Sequence, residues 1–183
     1  MDIKKTANSF ANFTIKRLAE IFGITIFGAG VLLLLALLTY SPEDPNFIFP
    51  ENTKIENILG FQGSFVSDVF FQSIGLVSYF FSFTLILTGI NIIRSKEFFL
   101  IIENIFFAII YCIFGTLFFA HFYSEAFTLY INGNGGFIGA YLNQIFLNSI
   151  SLINEVIFYY FLIILILFLF LKIVNFHPLK FYE

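Results

Sequence analysis

Long apolar runs alternate along this chain with short polar segments, and four of the runs are long enough to cross a lipid bilayer as helices. They cover residues 21–40, 69–93, 100–122 and 153–174. A hydrocarbon layer about 30 Å thick needs about 20 helical residues at about 1.5 Å each, and every run meets that length. None of them alternates apolar with polar positions as a lipid-facing strand does. The pattern predicts an all-α polytopic membrane protein with four transmembrane helices and short interfacial helices. Residues 1–20 read as a cytoplasmic basic lead-in, with 5–20 a helix lying on the leaflet, 21–174 as the four-helix domain and 175–183 as a cytoplasmic tail. The run Ser41-Pro42-Glu43-Asp44-Pro45 ends the first helix, because its two prolines cannot continue one. Asn132-Gly133-Asn134-Gly135-Gly136 marks a turn, and the apolar stretch 137–146 after it is too short to span. That stretch reads as a helix at the outer interface.

Composition agrees with lipid as the solvent. Hydrophobic residues make up 59% and charged residues 11% of 183 positions, whereas a soluble domain carries about a quarter charged residues. Thirty phenylalanines cannot all be buried in a water-soluble core of this size. The distribution of charge then fixes orientation. Lys4, Lys5, Lys16 and Arg17 precede the first run, Arg94 and Lys96 join the second to the third, and Lys172 and Lys180 end the fourth. Only Lys54 falls in the two other loops, which carry Glu43, Asp44, Glu51, Glu56, Asp68 and Glu125. The positive-inside rule assigns the basic side, and with it both termini, to the cytoplasm. The first run is too long for a signal-peptide core and no small-residue cleavage site follows it, so it should stay as an anchor. A net charge of −3 leaves no basic surface for nucleic acid on this segment.

Helices in lipid associate where small residues let them approach. Ala108, Cys112, Thr116 and Ala120, with Gly115 beside them, form such a ridge on the third run; Gly75 and Ser82 mark a face of the second, and Gly28 and Gly30 one of the first. The fourth run has no small residue across its central turns. Helices one to three are expected to form the tight core and the fourth to face lipid. A transporter needs ionisable groups deep in the bilayer, and here they sit near helix ends, as Asp68, Arg94, Glu103, His121, Glu155 and Lys172 do. A small transporter or channel subunit is therefore the weaker alternative. Glu103 reads as snorkelling to the headgroups rather than pairing with Arg94, Lys96 or Lys172. His121 and Glu125 have metal-like spacing but no third ligand. Cys112 is the one cysteine, which excludes an intramolecular disulfide. His177 has no nucleophile or acid near it in sequence. No catalytic, cofactor-binding or metal-binding residue is assigned, and no cofactor is expected.

The first outer loop carries a resemblance. Leu38-Thr39-Tyr40-Ser41-Pro42-Glu43-Asp44-Pro45 resembles the end of the first membrane helix in DNA translocases of the FtsK/SpoIIIE family. The likeness continues through Asn57-Ile58-Leu59-Gly60-Phe61-Gln62-Gly63, Asp68, Gly75-Leu76-Val77-Ser78-Tyr79, Gly89 and Arg94, and returns at Gly135-Gly136-Phe137-Ile138-Gly139. Relatives often have a proline in the second helix and tryptophans, where this chain reads Phe81-Ser82-Phe83 and has no Trp. No Walker A or Walker B motif, long linker or winged-helix DNA reader accompanies these motifs, so the expectation is the N-terminal membrane domain alone. The resemblance implies a bacterial inner-membrane protein of the division septum, not itself an enzyme. It implies a scaffold that links cell division to chromosome partition by anchoring a hexameric, ATP-driven DNA pump and contacting other division proteins.

Overall fold

The computed structural model describes residues 3–45, 54–124, 131–150 and 154–174. Six helices follow one another among them: α1 (Ile3–Leu38), α2 (Gly60–Ile74), α3 (Val77–Ser95), α4 (Leu100–Phe122), α5 (Gly136–Ile150) and α6 (Glu155–Ile173). Four are long and apolar enough to cross a membrane, namely Phe10–Leu38 of α1 and the whole of α3, α4 and α6. They run up, down, up and down, while α2 and α5 gather at the end where α1 and α4 finish. Glu51, Glu125, His177, Lys180 and the tail 175–183 lie outside the described residues.

Two of these elements differ from the sequence expectation. The second apolar run is not one helix from residue 69. It breaks at Gly75, whose φ of +60° and ψ of −140° belong to a region that only glycine occupies readily, so residues 69–74 finish α2 and the span begins at Val77. The lead-in is not a separate helix either. Nothing in residues 15–25 stops a helix, with no proline and no capping turn, and α1 runs unbroken through them.

The pairing of α1 with α3 rests on backbone contact. A Cβ placed on Gly30 would lie 2.7 Å from the Ile86 nitrogen, and one on Gly89 would lie 2.5 Å from the Phe27 nitrogen. Gly23 meets Ile93 in the same way. Gly28 takes no part in this contact: space is open around it, because it points away from α3. Next, α3 and α4 are joined by polar pairs within the span. The Thr84 and Tyr111 hydroxyls lie 2.8 Å apart, and the Asn104 amide donates to the Thr88 hydroxyl at 2.9 Å. Buried hydroxyl and amide groups have no water to turn to in lipid, so each finds its partner on the facing helix.

The fourth spanning helix turns most of its surface outward, as its lack of small residues suggests, and packs on α4 along one stripe. Phe158, Leu162, Leu169 and Ile173 of α6 are buried, against Leu117, Phe118, Ala108 and Tyr111 of α4. Large side chains interdigitate there in place of a close backbone approach. The rest of the helix, including Ile157, Phe161, Ile164 and Phe168, is exposed.

Candidate functional site

The motif residues collect at one end of the bundle, in two adjoining clusters. The first closes the end of α1. Asp44, 1% exposed, accepts the backbone N–H groups of Glu56 (2.7 Å) and Asn57 (2.9 Å), which pins the loop after the prolines. The Asn57 amide then donates to the carbonyls of Ala36 (2.9 Å) and Thr39 (3.2 Å), two acceptors left open where a helix ends. Its oxygen accepts Leu59 N–H at 3.1 Å, and the same side chain leaves room only for glycine at position 63. Pro45 is buried and its carbonyl accepts the Ser64 hydroxyl at 3.2 Å, whereas Pro42 is exposed at the turn. Gly60 opens α2 at a φ of +67°.

Helix α2 leans along the last turns of α1. Phe71 is fully buried between the rings of Tyr40 and Tyr79, at 4.9 and 5.5 Å between centroids. The Tyr40 hydroxyl donates to Asp68 Oδ1 at 3.1 Å, and the Tyr79 hydroxyl donates to the Leu37 carbonyl at 3.3 Å. Ser82 is buried one turn below, its hydroxyl turned onto the Tyr79 carbonyl of its own helix.

The second cluster is a crossing of glycines. The carbonyl of Asn134 accepts Leu76 N–H at 2.9 Å and sits where a Gly75 side chain would be. A Cβ on Gly136, at φ +63°, would lie 2.6 Å from the Ser73 carbonyl. Asn134 is fully buried and its amide donates to the Tyr123 carbonyl; Asn132 reaches the Gln72 carbonyl at 3.3 Å. Gly135 and Gly139 lie directly on Thr116 and Ala120 of α4. The small residues in the upper half of α4 thus receive α5. Lower on the same helix, Gly115 meets Val77 of α3, Ala108 is buried, and Cys112 is a half-buried free thiol at the rim of that core.

At the opposite end, Glu20 of α1 binds Arg17 and, at 2.9 Å, Lys96 in the link between α3 and α4. Phe22 stacks on Phe98 beside it. This bridge was not foreseen in the sequence, and it uses one of the candidate partners of Glu103, which is itself exposed. His121 contacts Asn143 of α5 at 3.0 Å. No group of three His, Cys, Asp or Glu side chains converges among the described residues. The polar end therefore works as a set of caps that fixes the mutual placement of α1, α2, α3 and α5.

An all-helical bundle of four spans with a polar, motif-bearing end defines a multi-pass membrane domain. The family described as "4TM region of DNA translocase FtsK/SpoIIIE" matches residues 15–182, and the chain belongs to it. It is 26% identical over 98 residues to the DNA translocase FtsK of Rhizobium meliloti (strain 1021), across 54% of this chain and 11% of that protein. It is 34% identical over 74 residues to the DNA translocase FtsK of Caulobacter vibrioides (strain ATCC 19089 / CIP 103742 / CB 15), across 40% of this chain and 9% of that protein. The chain thus spans about a tenth of the length of these relatives. No solved structure matches it.

Proposed function

We propose that this chain is the membrane anchor and scaffold of an FtsK-like DNA translocase at the bacterial division septum. The observation that carries the reading is the family match over residues 15–182, whose relatives bear the name DNA translocase FtsK. In this reading the inner membrane holds the bundle with both termini in the cytoplasm. Copies associate, as a hexamer if the domain follows its family, and ATP hydrolysis and DNA movement belong to a motor region rather than to these helices. The capped polar end supports a scaffold role, since it fixes the described residues of the outer segments 41–68 and 123–152, through which the domain would meet other division proteins. The reading is tested by imaging a fluorescent fusion of the full chain in dividing cells. A band at mid-cell is expected, and an even signal around the whole membrane would overturn it.

A further inference from the structure

Among the described residues, one carboxylate at the polar end has no opposite charge beside it. Asp68 of α2 is 7% exposed, and its Oδ1 accepts the Tyr40 hydroxyl at 3.1 Å and the Gln72 Nε2 at 3.4 Å. Both ion pairs among the described residues are on Glu20, at the far end of the bundle. Asp44, the other carboxylate buried among the described residues, differs in that each of its oxygens accepts a backbone N–H. Next to Asp68, the Oε1 of Gln72 is buried without a hydrogen-bond donor among the described residues. It belongs to the same amide as the Nε2 that lies 3.4 Å from Asp68 Oδ1.

Exchanging the amide oxygen and nitrogen does not relieve the site. It would set an oxygen against Asp68 and leave an orphan donor where the orphan acceptor now stands. A small cation relieves both defects together, because it takes oxygen ligands and supplies the missing charge. Its valence follows from the single carboxylate. A monovalent ion leaves the site neutral, whereas a divalent one would leave a net positive charge in a low-dielectric setting.

We propose that Asp68 and Gln72 form a binding site for one small alkali cation, with the Tyr40 hydroxyl holding the carboxylate in place. The cation would join α2 to the end of α1 at the point where Phe71 is wedged between Tyr40 and Tyr79. The residual exposure of Asp68 is its route in and its source of water ligands.

The test is thermal unfolding of the purified full chain in detergent, in sodium chloride against choline chloride at equal ionic strength. Sodium is expected to raise the midpoint by about 3–5 °C. Asp68→Asn and Gln72→Leu should each abolish that shift, while Glu103→Gln at an exposed site should keep it. The chain has no Trp, so tyrosine emission gives a second readout, and sodium should titrate it saturably. If Asp68→Asn does not fold, Gln72→Leu decides, since it leaves the Tyr40–Asp68 bond intact. Equal midpoints in sodium and choline overturn the site. So does a sodium shift that survives the substitutions, or a midpoint that follows pH and not the cation.

Discussion

Asn57 closes the end of α1 with one amide, holding two helix-terminal carbonyls with its nitrogen and turning the chain into α2 with its oxygen. Replacing it by Ala removes these bonds and leaves buried carbonyls without donors, a loss of about 1–3 kcal/mol. Asn57→Ala should therefore lower the unfolding midpoint in detergent, and an unchanged midpoint would show that water replaces the amide. Glycines divide just as sharply by position. At Gly75 the backbone lies where side chains are strained and the Asn134 carbonyl fills the space of a Cβ, so Gly75→Ala should cost at least about 2 kcal/mol. At Gly28 nothing lies within 4 Å and the helix is regular, so Gly28→Ala should be neutral or stabilise by up to about 1 kcal/mol. Unfolding of the two variants side by side gives the comparison. Similar behaviour of both would remove the argument from local contact.

Between elements, the α3–α4 interface rests on hydroxyl and amide pairs inside the span. A double-mutant cycle of Thr84→Val with Tyr111→Phe should return a coupling of about 0.6 kcal/mol, with about 1.7 as an upper bound. Zero coupling would mean that each hydroxyl finds another partner when its mate is lost. This level is also where the sequence was legible and where it was not. Hydropathy locates the spans because lipid penalises polar side chains residue by residue, and the third run, 100–122, coincides with α4. The break at Gly75 is invisible to hydropathy, since residues on both sides are apolar. It is set by Asn134 from the distant turn before α5. The stripe by which α6 packs on α4 escapes the sequence for a related reason. Small residues report close backbone approach, as at Gly30 and Gly89, but say nothing of contacts made by Phe118, Phe158 and Leu162. The motif positions are recognisable as a set, whereas their geometry depends on the amide bonds of Asn57 and the carbonyl of Asn134, which no sequence pattern displays.

For the whole molecule the open physical question is which end faces the cytoplasm. The bundle sorts its charges by end: Arg17, Lys96 and Glu20 lie together at one, joined to the α3–α4 link, while Asp44 and Asp68 are buried at the other. The second end also holds aromatic hydroxyls, with Tyr123 and Tyr159 paired at 2.9 Å and Tyr40 and Tyr79 flanking Phe71. Amphipathic rings of this kind settle where hydrocarbon meets headgroups, so they mark an interface without saying which one. Lysine and arginine do discriminate, because short loops rich in them are retained in the cytoplasm during insertion. Both Ser95, beside the basic link, and Ser124, beyond α4, are exposed, and each can carry a single cysteine once Cys112 is replaced by Ala. In intact spheroplasts a membrane-impermeant maleimide should label Ser124→Cys at once and Ser95→Cys only after permeabilisation. The reverse pattern would turn the bundle over, expose the basic end to the outside and leave the anchor reading with no cytoplasmic side on which a motor can sit.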